Sequence, residues 1–386
     1  MSGSGRPLPT PDAEDLRASV RDYYTRRLDD ATRSGSGCCP PGATNVVFDA
    51  SPNPMPSFGC GDAHALAAVA VGESVVDLGS GAGLDAFRAA EAVGPTGRVI
   101  GVDMTPAMIA HARAAAGRLG LAQVAFREGR IEALPVEDAV ADVVISNCVV
   151  NLSTDVEGVL REAFRVLRPG GRLRITDTFR RGPAVADPTS GGWCACVDGA
   201  HDPATLAAQA RRAGFIEVAV VGEPPGAPAC GDTFSATLCA TRPQIEALAP
   251  SDLAAAGALL EAVGLPTQGW SAPTLLHWGV RRDGRWVGVI ALERHGDHGL
   301  LRSWAVAPDA RGSGVGEALL RRALRAAAEL GLRSVSGLTT TVPQRLAAAG
   351  FREVARGALP AAVHASPELQ GACPDHARAF LREDLG

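Results

Sequence analysis

Between residues 74 and 177, short apolar runs alternate with longer segments in which apolar residues recur every three or four positions. The runs 74–78, 98–102, 124–127, 142–147 and 172–176 are rich in Val, Ile and Leu and predict strands. The segments 86–93, 106–119 and 156–167 carry helical spacing. This order predicts a parallel sheet with helices on both faces. The tetrad Arg168-Pro169-Gly170-Gly171 predicts a turn before the fifth strand. Ahead of this core, 15–30 reads as a helix, and 34–56, rich in Gly, Pro, Ser and Asn, as a loop placed to cover a site. After it come a helix over 203–213 and an edge pair of strands over 216–221 and 234–240.

The rhythm restarts near residue 242, which predicts a first domain over 1–241 and a second over 242–386. In the second, 250–263, 316–330 and 343–349 read as helices, and 275–281, 286–294, 299–306, 334–338 and a run near 353 as strands. At 386 residues the chain is long enough for two cores. With 46% hydrophobic residues and a net charge of -5 it is a folded chain and lacks the basic character of a general nucleic-acid binder. No apolar run approaches the ~20 residues of a membrane span, and 1–10 has no signal-peptide pattern. The expectation is a cytoplasmic protein whose partners include neither nucleic acid nor membrane. Lysine is absent, so all 37 basic residues are arginines. That excludes chemistries built on a Schiff-base lysine, a phosphate-loop lysine or a kinase lysine.

Val75-Val76-Asp77-Leu78-Gly79-Ser80-Gly81-Ala82-Gly83 places three glycines at alternate positions between a strand and a helix. Glycine permits a sharp turn and close backbone approach to a ligand. Asp103 ends the next strand, where its carboxylate can accept from two ribose hydroxyls. Dinucleotide-binding folds share this arrangement, but the loop lacks G-x-G-x-x-G spacing and follows Asp77, a carboxylate suited to a cationic ligand. The segment resembles the class I S-adenosylmethionine-dependent methyltransferases. That resemblance implies a Rossmann-like doubly wound sheet and S-adenosyl-L-methionine as cofactor. It carries cofactor contacts to Asp77, Gly79, Gly81, Gly83, Asp103, Met104, Ile131, Glu132 and Asn147, with Asp77 near the amino-acid end.

Eight of the nine cysteines precede residue 240, an odd set without disulfide-framework spacing, and read as free thiols in a reducing compartment. Cys60, between Gly59 and Gly61, and Cys196, in Cys194-Ala195-Cys196-Val197-Asp198, fall in loops at the C-terminal edge of the sheet, where open α/β folds bind ligands. Soft thiolates beside a methyl donor point to a thiophilic substrate. Zinc is disfavoured, since no C-x-x-C pair exists and His64 is the one histidine nearby. Cys148 and Cys239, in apolar strands, read as core residues.

Gly59-Cys60-Gly61, Asp77 to Gly83, Gly101-Val102-Asp103-Met104-Thr105, Ile145-Ser146-Asn147-Cys148-Val149 and Cys196-Val197-Asp198-Gly199-Ala200 together resemble the arsenite S-adenosylmethionine methyltransferases. The resemblance implies that Cys60 and Cys196 bind trivalent arsenic, and that Cys38 or Cys39 is a further ligand or a thiol that reduces the site. Arsenite or its thiol conjugates would be substrate, and a thiol reductant such as thioredoxin or glutathione a partner. Asp62-Ala63 departs from the family's Asn-Pro after the first thiol, and Cys230 is a candidate additional ligand. The implied reaction is attack of the arsenic lone pair on the sulfonium methyl carbon, aided by alignment and needing no general base. A thiol must then reduce the arsenic. A quinone- or sterol-type methyltransferase with incidental cysteines, or a non-catalytic arsenical-binding protein, are the competing readings.

In the second domain, Arg311-Gly312-Ser313-Gly314-Val315-Gly316 opens a helix after a strand, a backbone cradle for pyrophosphate. This resembles the GNAT acetyltransferases, an α+β fold, and implies acetyl-CoA on Arg311, Gly312, Gly314 and Gly316. The stretch 292–303 and the tail Cys373-Pro374-Asp375-His376-Ala377 resemble the acetyltransferase-like group of arsenic resistance. Both tyrosines, Tyr23 and Tyr24, lie in the other domain, which leaves Glu293, a histidine or water for proton transfer. His295-Gly296-Asp297-His298 reads as a hairpin turn rather than a metal site.

Overall fold

The computed structural model describes residues 12–34, 67–181, 199–222 and 233–385. It divides into two compact units, Met1–Arg242 and Pro243–Gly386.

The first unit opens with helix α1 (Ala13–Ser34). The sheet elements follow as β1 (Ser74–Leu78), α2 (Leu84–Val93), β2 (Arg98–Asp103), α3 (Pro106–Leu119), β3 (Val124–Glu128), β4 (Ala141–Asn147), α4 (Val156–Val166), β5 (Leu167–Arg180), α5 (Pro203–Ala213), β6 (Ile216–Val221) and β7 (Thr233–Thr241). The strand order is β3-β2-β1-β4-β5-β7-β6. Neighbours from β3 to β5 are parallel, whereas β7 runs antiparallel to both β5 and β6. The central strands are apolar on both sides, as β1 shows: Val75, Val76 and Leu78 are all buried. One face packs on α2 and α3, where Phe87 meets Phe126 edge to face at 5.6 Å. The other packs on α4 and α5 through Val159, Leu160 and Leu206, joined by Phe215 just past α5. Burying a ring such as Phe87 contributes roughly 2–3 kcal/mol.

Helix starts follow local chemistry. Asp155 caps α4 by accepting from the Gly158 amide at 2.8 Å, and Asp202 caps α5 by accepting from the Thr205 amide at 2.9 Å, with Pro203 in the first turn. The turn expected at 168–171 is instead part of β5. The Gly170 amide donates to the Arg242 carbonyl and the Arg242 amide to the Gly171 carbonyl, at 2.9 and 2.8 Å. The tetrad thus finds a strand partner that is remote in sequence, and the irregularity survives as a register shift against β4 and a φ of 83° at Gly170. Past Ser34, the loop expected over 34–56 lies outside the described residues.

The second unit contains β8 (Ile245–Ala247), α6 (Leu253–Ala262), β9 (Leu275–Arg282), β10 (Arg285–His295), β11 (His298–Val306), α7 (Val315–Glu329), β12 (Ser334–Thr339), α8 (Pro343–Ala348), β13 (Arg352–Val354) and β14 (Arg378–Arg382). Its sheet order is β13-β14-β12-β11-β10-β9-β8. The short β8 and the late strand β14, which inserts between β12 and β13, are not predicted by periodicity. β11 and β12 are parallel and paired only as far as Leu301 and Gly337. Beyond that point β11 carries a bulge against β10, with Ser303 at φ 56°.

Candidate functional site

In the first unit the strand order reverses between β1 and β4, which is where open α/β sheets form a crevice at the carboxyl ends of their strands. A cavity of about 970 Å³, counted out to its open mouth, lies there. Its floor is the glycine loop after β1, its sides the ends of β2 and β4, and α1 contributes Arg17, Val20 and Tyr24. Val20 packs with Cys148 and Leu152, and Leu28 with Ala82 and Met108, so α1 spans the cavity from the β4 side to the glycine loop.

Asp77, Gly79, Gly81, Asp103, Met104, Ile131, Glu132 and Asn147 all line this cavity. Gly83 does not. It caps α2 at φ 101°, and a Cβ there would lie 2.8 Å from Phe87 and Phe126, so its role is packing. Gly81, at φ 51°, has nothing within 4 Å of a built Cβ among the described residues. Its amide donates to Asp103 Oδ2 at 2.9 Å, and the Thr105 amide donates to Oδ1 at 2.8 Å. Each carboxylate oxygen retains capacity to accept a further hydrogen bond. Glu132 accepts from the Ser153 hydroxyl at 2.5 Å, and Asn147 donates to Asp85 Oδ2 at 2.9 Å.

Asp77 is the anomaly of the site. It is 2% exposed, and its Oδ2 has no hydrogen-bond partner among the described residues. Burial, and after it the carboxylates of Asp85 and Asp103, push it well above the usual carboxylate range. Burial also raises Asp103, against the two amides that favour its charged form. The Ala86 amide favours the charged form of Asp77, and a buried carboxylate with its other oxygen unpartnered among further acids is a site for a cation.

Sequence reasoning missed four charged, aromatic or thiol contributors. Asp85 is legible as an acid in the first turn of α2. Arg17 and Tyr24 carry no motif, and only the placement of α1 brings them to the cavity. Cys148, which reads as a core thiol, is buried yet lines the cavity because its φ of 55° turns the chain at the end of β4. Cys38, Cys39, Cys60, Cys196 and Cys230 lie outside the described residues. Among the described residues no group of three or more His, Cys, Asp or Glu could hold a metal.

Residues 70–208 match the methyltransferase domain family, and residues 249–355 the acetyltransferase (GNAT) family. The chain joins a methyltransferase domain to a GNAT-family domain. It is similar to the arsenite methyltransferase of Halobacterium salinarum, 48% identical over 167 residues, covering 42% of this chain and 42% of the relative. It is also similar to that of Aquipseudomonas alcaligenes, 37% identical over 235 residues, covering 54% and 65%. The chain therefore spans less than two thirds of either curated relative. Among solved structures, an arsenic(III) S-adenosylmethionine methyltransferase from Chlamydomonas reinhardtii is 28% identical with a TM-score of 0.41, over 61% of this chain and 74% of that one.

The methyltransferase cavity fits S-adenosylmethionine in its donor set. It offers a buried carboxylate with one unpartnered oxygen for a cationic ligand, an acid at the end of β2 for hydroxyls, and the apolar side chains of Met104, Met108 and Ile131.

In the GNAT-family domain, Gly312 and Gly314 take φ values of 78° and 96°, and Gly314 caps α7. Arg311 is exposed, its Nε 3.4 Å from the Val306 carbonyl. The Gly316 carbonyl accepts from Trp304 Nε1 at 3.1 Å. Glu293, a candidate for proton transfer, is buried. It accepts from Arg302 Nη1 at 3.2 Å and from the Ser366 hydroxyl at 2.6 Å, while Arg302 Nε lies 3.3 Å from Glu368. These contacts tie the 356–377 segment to the sheet. His295 and His298 pair across the β10–β11 hairpin, as the sequence predicts for a turn.

Proposed function

We propose that the protein transfers a methyl group from S-adenosylmethionine to trivalent arsenic held by cysteine thiolates. The observation that carries this reading is the placement of a buried thiol, Cys148, on the wall of an acid-lined donor cavity, in a chain similar to the arsenite methyltransferases of Halobacterium salinarum and Aquipseudomonas alcaligenes. S-adenosylmethionine supplies an electrophilic methyl carbon. The chain's own task is to orient and to shield: Asp77 and Asp85 provide negative charge, Asp103 accepts hydroxyls, and α1 covers the cavity.

Cys60 and Cys196 are the thiolates assigned to arsenic, with Cys148 as the third and Cys38 or Cys39 as the thiol that intervenes in reduction. The arsenic lone pair forms the new As–C bond as the S–C bond breaks, which formally oxidises arsenic by two electrons. A thiol reductant such as thioredoxin or glutathione returns them and leaves as disulfide. This thiol chemistry fits the reducing cytoplasm, and among the described residues no helix is long and apolar enough to cross a membrane. The GNAT-family domain is assigned acetyl-CoA at Arg311, Gly312, Gly314 and Gly316, and the two domains together a role in arsenic detoxification.

The test is incubation of the full chain with arsenite, S-adenosylmethionine and a thiol reductant, with arsenic species separated chromatographically and detected by mass spectrometry. Methylated arsenic is expected from the wild type and at least about tenfold less from Cys60→Ser, Cys196→Ser and Cys148→Ser, since an alignment contribution is lost with each ligand. Absence of methylated arsenic from a wild-type protein that binds the donor overturns the reading.

A further inference from the structure

The charged groups on the described cavity wall are Arg17 and four acids, Asp77, Asp85, Asp103 and Glu132. Arg17 is engaged by Glu14, its Nε 3.1 Å from Oε2. Asp103 is held by two backbone amides and Glu132 by the Ser153 hydroxyl. Asp85 has a different setting. Its side chain is 14% exposed, Asn147 fixes Oδ2 at 2.9 Å, and Arg88 Nη1 lies 3.5 Å from Oδ1. It stands within electrostatic reach of Asp77, the fully buried acid whose Oδ2 has no partner among the described residues.

Two carboxylates held this way, one with an unpartnered oxygen among the described residues, form a cavity in which both are charged only when something positive completes it. A methyl donor with a sulfonium centre carries one more positive charge than the thioether left after transfer. At short range in a poorly screened site, that unit of charge outweighs the loss of one methyl group's contacts. We propose that Asp85 is a specificity-determining residue which, together with Asp77, makes the cavity prefer the cationic donor to its neutral product, with Arg88 setting the strength of that preference from the far side. The preference favours replacement of spent product by fresh donor. This inference rests on the donor assigned in the proposed function, not on the arsenic substrate.

The experiment is titration calorimetry of the full chain with S-adenosylmethionine and, separately, S-adenosylhomocysteine, with no arsenical present. The quantity read is the ratio of the two affinities. Asp85→Asn is expected to lower that ratio by about tenfold, the scale of one unit charge a few ångströms away at intermediate dielectric. Asp85→Glu keeps the charge and retains the ratio even where both affinities fall. Arg88→Gln removes the opposing charge and raises it. An unchanged ratio in Asp85→Asn, or an equal fall in Asp85→Glu, overturns the inference while leaving the donor assignment standing. If Asp85→Asn does not fold, a ratio that fails to rise in Arg88→Gln overturns it alone. A wild type that binds neither compound overturns the donor assignment together with this inference.

Discussion

Two glycines of the same loop, two residues apart, respond to the same substitution in opposite ways. Both take positive φ, 68° at Gly79 and 51° at Gly81, so an alanine at either costs about 1–2 kcal/mol in backbone conformation. Their surroundings differ. A Cβ at Gly79 lies 2.4, 2.7 and 2.8 Å from Cγ2, Cβ and Cγ1 of Val149, whereas one at Gly81 meets nothing within 4 Å among the described residues. Overpacking adds a further ~1–3 kcal/mol at Gly79. Gly79→Ala should therefore destabilise by roughly 2–5 kcal/mol, a midpoint drop of about 5–15 °C for a unit of this size, and Gly81→Ala by only ~1–2 kcal/mol.

Function should sort the other way. Gly81→Ala projects a methyl group from the cavity lining beside Asp103 and should weaken S-adenosylmethionine binding about tenfold or more, a loss of ~1.4 kcal/mol or greater. Differential scanning calorimetry of the full chain reads the stabilities, with the first unit's transition identified by its upward shift on adding donor to the wild type. Val149→Ala in the Gly79→Ala background removes two of the three close approaches and leaves the Cβ at 2.7 Å, so partial recovery of about 1 kcal/mol is expected as coupling between the sites. Equal midpoints for the two single variants, strictly additive losses in the double variant, or wild-type donor affinity in Gly81→Ala would each refute the assignment of close packing to one glycine and ligand approach to the other.

Asp77 binds its proton more tightly folded than unfolded, so above the ordinary carboxylate value of 3.8 the unfolded chain has released a proton that the folded one retains. Stability of the donor-free protein then falls as pH rises, by up to about 1.4 kcal/mol per pH unit, until the raised folded value is passed. Asp77→Asn should flatten that slope and melt higher than the wild type at neutral pH, the difference closing below about pH 4, while losing donor binding; an unchanged slope in calorimetric scans across pH refutes it. In the second unit, Arg302→Leu leaves Glu293 and Glu368 buried without their cation and should cost about 3–5 kcal/mol. Tryptophan fluorescence in urea reports this, since Trp270, Trp278, Trp286 and Trp304 all belong to that unit, and a loss under ~1 kcal/mol would show the network to be dispensable.

The parallel core was legible because the strands from β1 to β4 are short and largely apolar, and each helix between them carries its own spacing. Where the reading failed, the deciding partner was remote. Arg168 to Gly171 has the composition of a turn, and the Arg242 backbone holds it as strand. Strand β14 follows a long irregular segment that gives no rhythm to extend. At the site, residues bound to the glycine loop by sequence distance were readable, as with Asp77 and Asp103. Cys148 was not, because its apolar neighbours argue for core, and the left-handed turn that brings it to the cavity leaves no trace in residue type. Gly83 shows the converse: it completes a ligand-loop pattern while serving the Phe87–Phe126 contact.

The departures at the site fall where packing and ligand chemistry make incompatible demands. Asp177, the other buried acid of the first unit among the described residues, has partners on both oxygens: it accepts from the Asn151 and Thr178 backbone amides at 3.2 and 2.8 Å. Asp77 sits equally deep, and one of its oxygens is left without a partner beside two further acids. A sequence under selection for stability alone would replace it with a neutral isostere, since the buried carboxylate destabilises the donor-free fold at neutral pH. Its presence is accounted for by a ligand whose positive charge restores the balance, and the same reasoning makes the donor-bound state the one in which this unit reaches its full stability.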